Sequence, residues 1–239
     1  MNKLSIIIPV FNEEKTIGEI LKRVKAATLP AGMQKEIIVI DDGSTDKTWK
    51  VLSEFRIDNL KFKILRHKKN KGKGAAVRTG IKNSSGDFII IQDADLEYDP
   101  QDYIRLLNPI LQKKTKVVFG SRLINYPLKL RGRNKTVLPL HLIANHFLTF
   151  LVNFLYRANL TDMETCYKLF SKEVLNKINL ESKGFDIEPE ITIKTLKLGY
   201  DIYEVPINIK PRTYEEGKKI GFSDGVKAVW TILKYRFLD

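Results

Sequence analysis

The sequence predicts an α/β fold: a mostly parallel sheet flanked by helices. Three observations carry that reading. Short apolar runs recur through the first half of the chain. Each run is followed by a segment of helical periodicity. The polar residues of this half gather at the ends of the apolar runs. Strands that are apolar on both faces are those of a parallel sheet covered on both sides, and such sheets bind ligands beyond the carboxyl ends of their strands.

Leu4–Val10 (LSIIIPV) reads as the first buried strand, and Glu14–Ala27 as a helix with Asn12 as its cap. Glu36–Ile40 (EIIVI) is a second strand ending at Asp41 and Asp42. Ser44 or Thr45 then starts a helix to about Phe55, because a side-chain oxygen there satisfies a free backbone NH. Phe62–His67 is a third strand and Gly74–Asn83 a helix. Phe88–Gln92 (FIIIQ) is a fourth strand, ending at Asp93. Asp99 and Pro100 open a helix to about Lys113, and Lys116–Gly120 is a fifth strand.

The second half begins with a basic loop, Asn125–Thr136, followed by the amphipathic segment Val137–Tyr156. In that segment His141, Asn145, Thr149 and Asn153 recur every four residues and form one polar stripe. This describes a helix on a protein core or in a membrane interface, not a transmembrane segment. Leu169–Ile178 and Ile187–Leu198 read as helices and Tyr200–Lys210 as an extended run. Ser223–Leu238 reads as a terminal helix with Val226, Val229, Trp230, Leu233 and Phe237 on one side. No linker divides the chain, so 1–239 is read as one domain. Its two halves, 1–122 and 123–239, differ in character, the first carrying the polar strand ends and the second the amphipathic segments.

The composition narrows the function. Of 239 residues, 43% are hydrophobic and 29% charged, which excludes wholesale disorder. The single cysteine, Cys166, excludes a disulfide framework or a thiolate zinc cluster. Net charge is +13, and no acid stands between Asp58 and Asp87 or between Asp102 and Asp162. An anionic partner is expected. The aromatics are not interleaved with the basic residues as single-strand platforms require, so nucleic acid is not expected to be that partner. No signal peptide is read, because Met1-Asn2-Lys3 leads directly into a strand.

Three motifs carry chemistry. In QDADLEYDP (Gln92–Pro100), Asp93 and Asp95 lie one residue apart after an apolar strand, so both can face one site. Their oxygens suit Mg2+ or Mn2+, with Glu97 as a further ligand. In DDGSTDKT (Asp41–Thr48), an acid at the strand tip can accept bonds from a ribose hydroxyl or a base NH. In NKGKGAAVRTG (Asn70–Gly80), glycines and lysines before a helix read as an anion cradle of backbone NH groups. It lacks the spacing of a P-loop, and no GxGxxG follows the first strand.

Taken together, IIIPVFNEE (Ile6–Glu14), these three motifs and FGSR (Phe119–Arg122) resemble the inverting family-2 glycosyltransferases of the GT-A nucleotide-diphospho-sugar transferase fold. Within that family the chain looks like the polyprenyl-phosphate branch typified by dolichyl-phosphate mannose synthases. TDMETCYKLF (Thr161–Phe170), GFDIEPEI (Gly184–Ile191) and PRTYEEGKKIGFSDG (Pro211–Gly225) support this. The resemblance implies metal-dependent transfer of a hexose from a nucleoside diphosphate sugar, GDP-mannose first, to a polyprenyl (dolichyl-type) phosphate. It implies that Pro9, Phe11, Glu13, Ile40 and Asp42 line the nucleotide pocket. Asp93, Ala94 and Asp95, with Glu97, would face the metal and the donor diphosphate. Arg122, Arg212 and Lys219 would surround the diphosphate or the acceptor phosphate, with Asp95, Arg122 and Arg212 nearest the chemistry. Arg131, Arg133 and Lys135 are candidates for the lipid phosphate.

The place implied is the cytoplasmic face of a membrane, held peripherally on an anionic membrane surface. Two rivals stand beside this reading. One is a family-2 transferase using UDP-glucose or another donor, or a non-lipid acceptor, with Asp186 or Glu188 as base. The other is a basic nucleic-acid-binding module, for which the paired aspartates would have no use.

Overall fold

The first apolar run forms β1 (Lys3–Val10), buried from Leu4 onward. It pairs in parallel with β2 (Gln34–Asp41), which pairs in parallel with β3 (Lys61–Arg66). On its other side β1 pairs in parallel with β4 (Phe88–Ile91). Three more strands, β5 (Val117–Ser121), β6 (Lys168–Ser171) and β7 (Ile202–Pro206), complete one seven-stranded sheet of order β3-β2-β1-β4-β6-β5-β7. Only β6 is antiparallel to its neighbours, and β5 and β7 run parallel. The computed structural model describes residues 2–56, 61–124, 139–213, 215, 217 and 219–238.

Helices cover both faces. They are α1 (Ile17–Ala26), α2 (Thr48–Glu54), α3 (Lys73–Asn83), α4 (Tyr103–Leu111), α5 (Pro139–Tyr156), α6 (Lys172–Leu175), α7 (Ile187–Lys197) and α8 (Phe222–Phe237). On α1, the fully buried Ile17, Ile20, Leu21 and Val24 fall at helical spacing. Each such side chain contributes about 1.5–3 kcal/mol on burial. The other end of α1 is closed from outside: Lys35 Nζ donates to the carbonyls of Val24, Lys25 and Ala27 at 2.6–2.9 Å.

Several local expectations are corrected. Asn12 does not cap α1, which starts later with Thr16 at the cap position. Asn12 is left-handed (φ 50°), and its side-chain carbonyl accepts from the backbone NH of Thr45 at 2.8 Å. Neither Ser44 nor Thr45 caps α2. The Asp46 carboxylate accepts from Thr48 NH at 2.9 Å, and Ser44 Oγ accepts from Asn12 NH. The expected helix over Leu169–Ile178 is instead the end of β6, the four-residue α6 and a loop.

The polar stripe of α5 faces inward. Asn145 and Thr149 are buried, and Asn153 bonds Leu160 through its NH and its carbonyl at 2.8 Å. The outward face carries Leu140, Ile143, Phe147, Phe150 and Phe154, each more than half exposed. The terminal helix repeats the pattern. Its buried residues are Ala228, Thr231, Ile232 and Tyr235, while Phe222, Val226, Trp230 and Phe237 are more than half exposed. The apolar side read for this helix is therefore largely its open side. Among the described residues, no helix is long and apolar enough to cross a membrane.

Candidate active site

Arg212 gathers the carboxylates at the carboxyl ends of β1 and β4. Its Nη2 lies 3.0 Å from Asp95 Oδ2, its Nη1 3.3 Å from Glu13 Oε2, and its Nε 3.7 Å from Glu97 Oε1. An isolated antiparallel bridge between Tyr98 and Ile209, with Lys210 NH donating to Glu97 O at 2.9 Å, brings this segment over the strand ends. Lys219 joins from the same side, 2.7 Å from Glu13 Oε1 and 2.5 Å from the Phe11 carbonyl. Burial pushes the Asp95 carboxyl up to about 7, and the charges of Asp93 and Glu97 add to it against the pull of Arg212.

Asp93 turns to a second cluster. Lys73, at the start of α3, lies 2.9 Å from Asp93 Oδ1, 3.1 Å from Glu188 Oε1 and 2.9 Å from Cys166 Sγ. Burial alone would raise the Asp93 carboxyl, but the Lys73 charge, hydrogen bonds from Cys166 and Lys73 and the Arg212 charge together outweigh it and hold it below the ordinary value. Burial, reinforced by Asp93, pushes the Cys166 thiol well up, so it stays protonated. Glu188 also meets the fully buried Lys168 at 2.5 Å. Beneath the strand tip, the hydroxyls of Tyr103 and Tyr167 both donate to Gln92 Oε1, and Gln92 Nε2 donates to the Asp93 carbonyl. This fixes where the acidic segment leaves the sheet.

Arg122, at the end of β5, forms a two-pronged pair with Asp162: Nε to Oδ2 and Nη2 to Oδ1, both 2.7 Å. Asn145 on α5 donates to the same Asp162 Oδ1 at 2.8 Å.

Other predicted residues sit differently. Ile40 and Ala94 are core side chains, and Pro9 is buried. Asp42 is 2% exposed and already bonded. It accepts from His67 Nδ1 at 2.6 Å, from Gly72 NH at 2.7 Å and from Lys71 NH at 3.0 Å. The expected anion cradle is thereby corrected, because four of its NH groups are spent within the protein. Those of Lys71 and Gly72 hold Asp42, and those of Gly74 and Ala75 donate to the carbonyls of Gly184 and Lys183. Gly72 needs its glycine: φ is +93°, and a Cβ would run into the Lys183 carbonyl. Asp186 accepts from Gly184 NH at 3.0 Å. Arg131, Arg133 and Lys135 lie outside the described residues.

A profile described as Glycosyl transferase family 2 matches residues 5–178. The chain belongs to this family. This glycosyltransferase is 30% identical over 225 residues to a dolichol-phosphate mannosyltransferase of Pyrococcus furiosus, covering 92% of this chain and 60% of that protein. It is 29% identical over 245 residues to a UDP-N-acetylglucosamine--dolichyl-phosphate N-acetylglucosaminyltransferase of Methanococcus voltae, covering 95% and 94%. Its fold is that of glucosyl-3-phosphoglycerate synthase from Mycobacterium tuberculosis, solved with Mn2+, UDP and phosphoglyceric acid. The TM-score is 0.74 at 21% identity, over 100% of this chain and 80% of that one. The fold is thus GT-A, as the resemblance implied.

The glycosyltransferase's acidic segment has the donor type and charge that suit a divalent ion. Its donors are all oxygens, as Mg2+ and Mn2+ prefer. Four carboxylates (Glu13, Asp93, Asp95, Glu97) meet three cations (Lys73, Arg212, Lys219), leaving one negative charge in excess. Burial raises the Asp95 carboxyl and the charges of Asp93 and Glu97 add to it, a repulsion that a bound cation would relieve, so the residues fit a cation. Among the described residues, however, no three acidic, histidine or cysteine side chains gather around one point, because Asp93 is drawn to Lys73.

Sequence reasoning missed Asp162, Glu164, Cys166 and Lys168 as individual site residues. They lie in TDMETCYKLF, which the resemblance marked only as a segment. Lys73 lay inside the cradle motif, but its partner Asp93 was not foreseen.

Proposed function

We propose that this glycosyltransferase moves a hexose, with inversion, from a nucleoside diphosphate sugar to a polyprenyl phosphate at a membrane surface. The observation that carries this reading is the connection between Arg122 and α5. Arg122 is held by Asp162, and Asp162 by Asn145. Asn145 lies on the inward face of a helix whose outward face is exposed leucine, isoleucine and phenylalanine. A cation suited to a phosphate is thus tied to a surface suited to acyl chains. The dolichyl-phosphate relatives favour the same acceptor class.

Arg212 and Lys219 would neutralise the donor diphosphate, and Phe11 and Glu13 would border the nucleotide. Asp95 and Glu97, with Asp93, would hold Mg2+ or Mn2+, which when bound supplies positive charge to the departing diphosphate. Arg122, with Arg131 and Arg133, would take the acceptor phosphate. An oxygen of that phosphate is already anionic at neutral pH, so it needs positioning and no general base. The open faces of α5 and α8 would lie in the headgroup region. Lys227 and Arg236, both exposed on α8, would favour anionic lipid by about 1 kcal/mol each. The place of action would be the cytoplasmic face, with the protein held peripherally.

GDP-mannose is the first donor in this reading, and the Pyrococcus mannosyltransferase favours mannose as the sugar. A UDP-sugar is the second, favoured by the Methanococcus relative. The test runs each donor separately with Mn2+ and a short polyprenyl phosphate, beside Asp95→Asn. Transfer to lipid with one donor, lost in the variant, supports the reading. Nucleotide binding with no transfer from any donor overturns the acceptor.

A further inference from the structure

Glu164 is a partly exposed acid, with one carboxyl oxygen turned inward, that the mechanism above does not use. Its loop is pinned on several sides. Lys168 Nζ donates to the carbonyls on either side of Glu164, those of Met163 at 2.9 Å and Thr165 at 2.5 Å. Met163 NH donates to Thr149 Oγ1 on α5, Thr165 Oγ1 to the Gly120 carbonyl, and Cys166 NH to the Tyr98 hydroxyl. A side chain on such a loop is held in place before any ligand arrives. Yet Glu164 Oε1 is out of reach of solvent and has no hydrogen-bond partner. A buried polar oxygen is costly to leave unpaired, and because the residue is partly exposed, the rest of the carboxyl can meet a ligand or water.

The charges that face it come from four places: Lys168 on β6, Glu188 on α7, Arg122 at the end of β5, and Asp162 on its own loop. Behind Glu188 stands Lys73 of α3. Behind Asp162 stand Asn145 of α5 and Glu204 of β7, which accepts from Asp162 NH at 3.0 Å. Both nearby cations are already paired, Lys168 with Glu188 and Arg122 with Asp162. Each shares its charge with that partner, and their pull on Glu164 is smaller than the effect of its desolvation. Burial, against the pull of Lys168 and with Glu188 adding to it, pushes its carboxyl up to about 7.

An anionic acceptor drawn to Arg122 would be repelled by an ionised Glu164 in so desolvated a place. A protonated carboxyl there would instead supply a hydrogen-bond donor. We propose that Glu164 is a specificity-determining residue for the acceptor: its carboxyl is protonated in the acceptor complex and donates a hydrogen bond to a phosphate oxygen, so acceptor binding takes up a proton from solvent. This rests on the phosphate-acceptor reading above. It adds that the enzyme distinguishes a phosphate from a neutral hydroxyl by a carboxylic acid as well as by arginines.

The test is calorimetric binding of citronellyl phosphate, a short prenyl phosphate, to the full chain. It is run from pH 6.5 to 8.5 in buffers of different ionisation enthalpy. The wild type is expected to take up a fraction of a proton beyond that of the phosphate itself. Its affinity should fall about tenfold between pH 7.5 and 8.5. Glu164→Gln keeps an NH donor and cannot titrate, so its affinity should follow only the phosphate's own ionisation. Glu164→Leu, which cannot donate, should bind about tenfold more weakly at pH 6.5. Equal proton uptake in the wild type and Glu164→Gln would overturn this inference and leave the phosphate acceptor standing. So would a Glu164→Gln enzyme whose kcat falls a hundredfold at unchanged acceptor KM, because that is the mark of a general base. Absence of any phosphate binding by the folded wild type would sink the acceptor reading itself.

Discussion

Arg212 and Asp95 meet at 3.0 Å across 117 positions of sequence. The contact closes the acidic centre from the second half of the chain, and the same guanidinium spans Glu13 and Glu97. A charged fork fixed in this way needs no reorganisation when negative charge develops on a departing diphosphate. Arg212→Ala is therefore expected to lower kcat about a hundredfold. Arg212→Lys should recover part of the loss, because a point charge replaces the fork. Steady-state kinetics with circular dichroism of each variant checks this. A folded Arg212→Ala protein at wild-type kcat would remove Arg212 from the chemistry.

Lys168 is fully buried, and its ammonium group is spent on Glu188 and two loop carbonyls. Removing one partner of a buried pair leaves the other uncompensated. Lys168→Met is thus expected to cost about 3–5 kcal/mol in urea unfolding. Lys168→Arg should cost less, because it keeps the charge. A Met variant as stable as the wild type would mean that Lys73 alone satisfies Glu188.

At the opposite end of the sheet, Glu36 accepts from Ser5 Oγ at 2.6 Å and Ser85 NH at 2.8 Å, and it lies 3.1 Å from Lys61 Nζ. Burial acts to raise this carboxyl, but the bonds from Ser5, Ser85 and Lys61 win and hold it at about 2, below its ordinary 4.5. A carboxyl lowered on folding contributes stability that is complete above about 4.5 and lost as the pH falls toward 2. Glu36→Gln should cost about 2 kcal/mol at pH 7. The gap between variant and wild-type melting curves should close on acidification through that window. A gap independent of pH would contradict the assignment.

The open faces of α5 and α8 give a prediction about location. Phe150→Asp and Trp230→Asp each replace a side chain more than half exposed. Each should leave folding intact and lower partitioning onto anionic vesicles at least tenfold, since each aromatic contributes about 1.5–3 kcal/mol when buried. Flotation on phosphatidylserine-containing vesicles measures it. Wild type that stays in solution at low salt would contradict the docking face.

How much of this was legible in the sequence follows from what periodicity can encode. β1, β2 and β4 stood out because strands covered on both faces are apolar throughout. β6 did not. Four residues, Lys168–Ser171, run directly into a helical pattern, and only pairing with β4 and β5 makes them a strand. The stripe of Asn145 and Thr149 correctly shows which residues share a face of α5. A period carries no sign, however, so it does not tell which face turns inward. The paired aspartates were visible, but not their separation, which depends on Lys73 arriving from α3. The glycine and lysine motif looked like an anion cradle, and the anion it holds is Asp42. Arg212 and Lys219 came from family resemblance, because nothing in their spacing connects them to Glu13.

The most direct test of the whole account is a choice of acceptors. One hexose donor is offered with Mn2+ to a polyprenyl phosphate, to the same polyprenol without its phosphate, and to phosphoglyceric acid. The account predicts transfer to the lipid phosphate alone, with inverted configuration at the anomeric carbon. Transfer to the free alcohol or to the soluble acid, with none to the lipid phosphate, would contradict it.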